Sequence, residues 1–143
     1  MATFTDKEAE YLRGQRLARM ATVGADGSPH VVPVGFRLAA DAQAIEVGGH
    51  GLSGSKKWRD LQANPLIAIV IDDLVSTQPW TPRGIEVRGR AELQQGGGSE
   101  KFGEGWDSVW IRIVPARVIS WGIEGRSFTR EGRSARTVGG SAG

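Results

Sequence analysis

The clearest pattern in the chain is the alternation in "GIEVRGRAEL", which puts Ile85, Val87, Gly89, Ala91 and Leu93 on one side and Glu86, Arg88, Arg90 and Glu92 on the other. Successive side chains of an extended strand point to opposite faces, so this stretch predicts a long, half-buried β-strand. The preceding "LIAIVID" is almost continuously apolar instead and predicts a strand covered on both faces, ended by the acidic pair Asp72 and Asp73. "DLVSTQPWTPR" reads as the loop between the two.

Near the start, "FTDKEAEYLRG" has Thr5 three residues ahead of Glu8, a capping box, then Ala9 and Leu12 on one face and Gly14 as a stop. A short amphipathic helix is expected there. "LARMATV", "GADGSP" and "HVVPVGFRL" read together as a hairpin turning around Asp26 and Gly27. A further short strand, "AIEVGG", precedes a second helix running from Ser53 or Ser55 to Ala63, where Asn64 and Pro65 stop it. The glycine-rich "QQGGGSEKFGEG" separates these from "VWIRIV" and "RVISWGI", two strands joined around Pro115. The sum is six or seven strands and two short helices. Close strand spacing, hairpin turns and one helical crossover favour a mainly β protein, a small antiparallel β-barrel, over a βαβ sheet.

A length of 143 residues with 39% hydrophobic content fits one domain, expected over residues 1–124. No export signal and no membrane-spanning run is expected, and zero cysteines sit easily with a reducing cytoplasm. The net charge is only +2, and Arg126, Arg130, Arg133 and Arg136 crowd into the final "GRSFTREGRSARTVGGSAG". With little apolar content to offset ordering entropy, residues 125–143 are expected to be a disordered tail.

Candidate chemistry is sparse. Lys56 and Lys57 follow a Gly/Ser run at a helix start, with Arg59 a turn away. Cations there oppose the helix dipole, which leaves two readings: solvated surface charge, or a site for a phosphate held by lysine and free backbone N–H groups. Pro33 and Gly35 break "HVVPVGF", either because this is an edge strand with a bulge or because a ligand approaches the backbone closely. Five tryptophans (Trp58, Trp80, Trp106, Trp110 and Trp121) serve packing, or a stacking wall for a flat ring. Trp80 stands out between two prolines, with Arg83 three residues on. His50 and Ser53 lie in no nucleophile elbow, no Walker loop is present, and two histidines without cysteine leave little for a metal.

Taken in order, "LARMATVGADGSPHVVPVGFRL", "SGSKKWRDLQANPLIAIVIDD", "RGIEVRGRAEL" and "WIRIVPARVISWGIE" resemble the pyridoxamine 5'-phosphate oxidase-like split β-barrel proteins. The resemblance runs from about Leu12 to Glu124 and is nearest the actinobacterial branch that uses the deazaflavin coenzyme F420. "PWTPRGIEVRGRAE" and "RIVPARVISWGIE" look most like the subgroup that contains a tetracycline-type dehydro-reductase of antibiotic biosynthesis. It implies a split-barrel homodimer with cofactor grooves between subunits. By the same resemblance, Val32, Pro33, Val34 and Gly35 lie along the flat ring, Lys56, Lys57 and Arg59 hold the phosphate, and Trp80, Arg83 and Trp121 contribute to the site, Trp121 from the second subunit. The oxidase branch closes with a Trp followed by an Arg-Leu-x-Pro segment, whereas this chain has "WGIEGRSFTREGRSA". That departure counts against pyridoxamine phosphate oxidation and against assuming FMN.

The implied reaction is hydride donation from reduced F420 to a conjugated or otherwise electrophilic small molecule, with the proton drawn from solvent, His30 or Tyr11. No protein nucleophile, catalytic triad or metal is called for. An FMN-binding oxidoreductase or a non-catalytic flavin or deazaflavin carrier shares the same fold. A small basic nucleic-acid-binding β-barrel is the remaining alternative, favoured by the pI and the exposed Arg88 and Arg90, and opposed by Glu86 and Glu92 on the same face. Neither nucleic acid nor membrane is the expected partner.

Overall fold

The computed structural model describes residues 2–139. In chain order the elements are α1 (Asp6–Arg13), β1 (Leu17–Val23), β2 (Pro29–Gly35), β3 (Arg37–Leu38), β4 (Ile45–Val47), a 3-10 turn (Leu52–Gly54), α2 (Lys56–Ala63), β5 (Leu66–Thr77), β6 (Trp80–Gln94), α3 (Gly98–Phe102), β7 (Trp110–Trp121) and β8 (Arg133–Thr137). The strands form one antiparallel sheet in the order β2-β1-β5-β6-β7-β4-β3, with β8 added beside β7. The sheet curls into a half-barrel around its inner face. Met20, Ile69, Ile71, Ile85, Val87, Ile111 and Ile113 fill that face and are fully buried.

Both expected helices form for the expected reasons. The Thr5 side chain accepts from the Glu8 N–H while the Glu8 carboxylate accepts from the Thr5 N–H, and Ser55 caps α2 through the Trp58 N–H. Trp58 and Leu61 anchor α2 in the core, each side chain contributing on the order of 2 kcal/mol by burial. The β1–β2 hairpin turns at Gly24–Ser28, with Gly27 at φ +85.

Other expectations are corrected. Among the described residues there are eight strands, because β3 is separate from β2 and β8 is added while the two strands expected around Pro115 are one. Asp72 and Asp73 do not end β5. It runs to Thr77 and turns tightly into β6, so the expected loop "DLVSTQPWTPR" is a hairpin. The acidic pair is tolerated in the strand because Asp72 accepts from Arg19 and Asp73 from Arg83. β5 is also not covered on both faces in this chain: it alternates, with Ile67, Ile69 and Ile71 buried and Leu66 56% exposed.

Pro115 does not separate two strands either. β7 is continuous, with Ala116 as the extra residue of a bulge between the pairings Gly89↔Pro115 and Arg88↔Arg117. A Cβ on Gly89 would lie 2.1 Å from the Val114 carbonyl oxygen, so glycine is what lets the bulge close. The glycine-rich separator contains α3, whose Phe102 packs near Trp106 and Trp110, with ring centroids 5.6 and 6.3 Å apart.

The expected disordered tail is ordered over its described part. β8 pairs with β7 from Arg117↔Thr137 to Trp121↔Arg133, and Arg136 Nη1 donates to Glu8 Oε2 at 3.0 Å. Glu8 is fully buried, and its ion pair with Arg136 ties the two ends of the chain together. Four backbone bonds close the intervening loop and a side-chain partner is met 128 positions away, which composition does not reveal. Residues 140–143 of that expectation lie outside the described residues. Among the described residues no helix is long and apolar enough to cross a membrane.

Candidate functional site

β2 is the edge of the sheet, paired only with β1. Pro33 sits opposite Arg19 and Gly35 opposite Leu17, and both face outward, whereas Val34 is buried and Val32 packs against the core. The edge position explains how a proline is accommodated without losing a ladder bond to a second neighbour.

α2 lies beside the other end of this hairpin. Asp60, buried on α2, accepts from Thr22 Oγ1 at 2.9 Å and from Lys56 Nζ at 2.9 Å, and His30 Nδ1 stands 3.9 Å away. The Lys56 bond, opposed by desolvation and helped by Thr22, holds the Asp60 carboxyl below its ordinary value. Lys56 is thus paired inside the fold. Lys57 forms no ion pair among the described residues, and Arg59 donates to the Gly54 carbonyl at 3.0 Å. Lys56 and Lys57 open the helix, so their N–H groups have no intrahelical acceptor. An open ammonium and two open N–H groups at a positive dipole end suit a phosphate.

Arg83 pairs within the fold. Its guanidinium donates through Nε and Nη2 to both oxygens of Asp73, at 2.8 and 3.0 Å, and lies 4.9 Å from the Tyr11 ring centre. Tyr11 donates its own hydroxyl to Asp73 at 2.8 Å. Burial, with the Asp73 hydrogen bond and charge adding to it, raises the Tyr11 pKa far above 10. This proton is committed to Asp73, which argues against Tyr11 as the proton source. Tyr11 and Arg83 border a cavity of about 340 Å³ with Lys7, Glu10, Gly122 and Ile123.

Trp121 lies over Gly84 on the outer face, where a Cβ on Gly84 would come within 2.6 Å of the indole. It borders a hollow of about 290 Å³ with Arg19, Val31, Val70 and Glu86. By alternation along β6, Arg83 shares the parity of Ile85 and so faces inward, on the side opposite Trp121. Trp80 is 60% exposed at the start of β6, opposite Thr77.

The expected site residues therefore fall into groups. Val32 to Gly35 share a hairpin with the strand that α2 packs on, Trp121 joins Val31 across the outer face, and Arg83 and Trp80 stand apart. The structure adds residues beyond those expected: Asp60 as the partner of Lys56, signalled only by its i,i+4 spacing, and Phe128, Arg130 and Arg133, which form a cavity with Trp121. His50 and Ser53 form no triad: His50 Nδ1 meets the Gly105 carbonyl, while Ser53 donates directly to Asp107. Among the described residues no cluster of His, Cys, Asp or Glu is arranged to hold a metal.

The outer face is apolar where the inner face is, but uncovered. Leu17 is 59% and Val31 68% exposed, and Ala21, Pro29, Leu66 and Ala68 continue the surface. Arg88 on this face pairs with Glu86 at 2.8 Å, which neutralises much of the stripe available to a nucleic-acid backbone.

Comparisons with known proteins agree with this architecture. The chain is 41% identical over 122 residues to the 5a,11a-dehydrotetracycline/5a,11a-dehydrooxytetracycline reductase of Streptomyces rimosus, covering 85% of each chain. Its fold is similar to the crystal structure of Rv2991 of Mycobacterium tuberculosis, with a TM-score of 0.68 at 21% identity, covering 99% of this chain and 96% of the other. It is also similar to an FAD-binding protein of Mesorhizobium loti, with a TM-score of 0.61 at 19% identity, covering 93% and 95%. The pyridoxamine 5'-phosphate oxidase family model matches residues 4–122, spanning the sheet from α1 to the end of β7, and the chain belongs to that family of split β-barrels.

Proposed function

We propose that this protein is a reductase that transfers a hydride from reduced coenzyme F420 to a conjugated or otherwise electrophilic small molecule, working as a cytoplasmic homodimer. The observation that carries the reading is the open first turn of α2, beside the β1–β2 hairpin, where Lys57 has no ion-pair partner among the described residues and the Lys56 and Lys57 N–H groups have no intrahelical acceptor. The 41% identity to a reductase of a polycyclic substrate supports the reaction class.

In this reading Lys57 and the N–H groups of Lys56 and Lys57 hold the coenzyme phosphate, with Arg59 a turn further along. Lys56 pairs with Asp60 within α2, and Asp60 in turn ties the helix to β1 through Thr22. The β2 edge at Val32, Pro33, Val34 and Gly35 gives a ring room to approach the backbone, and Trp121 walls the hollow against water. The coenzyme supplies the hydride, so no protein nucleophile is needed. His30 and solvent are the sources left for the proton. The uncovered apolar face supports a second copy of the chain packing there, which would close a groove over β2.

Titration of pure protein with F420 and with FMN, followed by quenching of tryptophan fluorescence, tests the coenzyme. Saturable F420 binding at least tenfold tighter than FMN is expected, and tighter FMN binding overturns the assignment in favour of a flavin protein. Val31→Asp is expected to turn the dimer into a monomer by light scattering and to weaken F420 binding along with it. A Val31→Asp dimer of unchanged affinity would remove the outer face from the interface.

A further inference from the structure

The loop between β7 and β8 builds a hollow that the coenzyme reading does not use. Its volume is about 540 Å³, and Pro82, Trp121, Phe128, Thr129, Arg130 and Arg133 form most of its wall. We propose that this hollow is a binding subsite for a planar, polycyclic, negatively charged ligand, and that it takes the acceptor substrate of the reductase. The second half of this proposal rests on the function proposed above.

The walls argue for the shape of the ligand. Trp121, Phe128 and Pro82 offer flat apolar surfaces, and a volume of several hundred Å³ is in the range of small-molecule sites. Phe128 is 79% exposed and sits at φ +65, a backbone region that costs a bulky residue about 1–2 kcal/mol. Burial of its own ring does not offset that in the free protein. An aromatic held out at the rim of a hollow is what stacking on a flat ligand would use.

Charge argues for the sign. Arg130 and Arg133 both line the hollow, no carboxylate does, and neither arginine forms an ion pair among the described residues. A planar guanidinium both pairs with an anionic oxygen and stacks on a ring, so the pair suits a phenolate, enolate or carboxylate carried on a fused ring system. A small inorganic anion would leave the aromatic walls uncovered.

The hollow is also held in shape. Thr129, Gly132 and Arg133 N–H groups donate to the Arg126, Thr129 and Arg130 carbonyls, and Gly122 N–H donates to Gly132 to close the loop. Ser127 Oγ donates to the Pro82 carbonyl, fixing the loop to β6. Gly122 stands at φ +68, where a Cβ would meet that same Pro82 oxygen at 2.5 Å. A preformed loop loses little entropy on binding. Trp121 borders both this hollow and the one on the outer face with Val31, so a ligand here lies against the indole that also bounds the proposed coenzyme groove.

The test uses the full chain without coenzyme, titrated with fluorescent anthracene-2-carboxylate and its neutral analogue anthracene-2-carboxamide. The carboxylate is expected to bind about tenfold tighter. The double variant R130Q/R133Q is expected to abolish that preference, and Phe128→Ala to weaken both ligands alike. Equal affinity for the two ligands, or a preference that survives R130Q/R133Q, overturns the subsite. Repeating the titration with F420 at saturation tests the acceptor role: simultaneous binding supports it, and mutual exclusion overturns it. Failure of F420 to bind defeats the proposed function alone, since the coenzyme-free titrations decide the subsite by themselves.

Discussion

At the seam between α1 and β8 the guanidinium of Arg136 meets the buried carboxylate of Glu8, whereas at the first turn of α2 the ammonium of Lys57 meets no carboxylate among the described residues. The contrast recurs within single segments. Lys56 is closed on Asp60 while its neighbour Lys57 is open, and Arg136 is closed on Glu8 while Arg130 and Arg133 are open. A buried carboxylate needs its cation, because an unpaired charge in the interior is strongly unfavourable. Lys57, Arg130 and Arg133, with no such partner among the described residues, are left to meet an anion from outside.

The largest expected effect lies on the closed side. Arg136→Ala strips the partner from a fully buried Glu8 and is expected to cost about 3 kcal/mol, a fall in Tm of roughly 10 °C for a chain of this length. Thermal melts decide it, and a change of less than a few degrees would remove the ion pair from the stability of the seam. Acid sharpens the point. Burial pushes the Glu8 carboxyl up, but the Arg136 hydrogen bond, the Thr5 N–H and Ser120 outweigh it, so the folded pKa lies below the ordinary 4.5. A depressed carboxyl pKa gives stability that is full above the unfolded value and is lost as pH falls through the folded one. The gap in Tm between the wild type and Arg136→Ala is therefore expected to be constant near neutrality and to narrow below about pH 4.5.

On the open side the expected effect is on binding alone. Lys57→Ala is expected to weaken F420 about tenfold, roughly 1.4 kcal/mol, with Tm unchanged in the same melts. A normal affinity with a normal melt would break the comparison, because Lys57 would then be solvated charge like many exposed lysines. The smallest effect is expected from Lys56→Ala, whose partner Asp60 keeps the Thr22 bond. Its Tm should fall, but by less than that of Arg136→Ala, and its loss of F420 affinity should be smaller than that of Lys57→Ala. Equal binding losses for the two lysines would show that pairing with Asp60 does not withdraw Lys56 from the ligand.

Features that depend on neighbours within a few residues were legible in advance. The capping box at Thr5 and Glu8, the Ser55 cap, the turn near Asp26 and Gly27 and the alternation along β6 all formed as their spacing predicts. Errors came where a residue's partner is remote. Asp72 and Asp73 look like a strand end until Arg19 and Arg83 neutralise them, and Pro115 looks like a break until Gly89 admits a bulge. The segment after Glu124 looks too polar to order until β7 offers an edge. Arg83 stands only three residues after Trp80 in the sequence, but the residue it pairs with is Asp73, ten residues earlier and directly across the hairpin.

The sequence by itself determined α1, α2 and the β1–β2 hairpin, which face of β6 is buried, and that Lys56, Lys57 and Arg59 would crowd the start of a helix. Those outcomes follow from periodicity and capping, whose range is a turn or two of chain. Only the tertiary structure decided that Arg136 meets Glu8 and Arg19 meets Asp72, that the C-terminal segment becomes a strand, and that Trp121, Phe128, Arg130 and Arg133 border one hollow. Pairs such as Arg136 with Glu8 and Arg19 with Asp72, and the closure of cavities, depend on distances through space between residues far apart in the chain, and no local pattern carries that information.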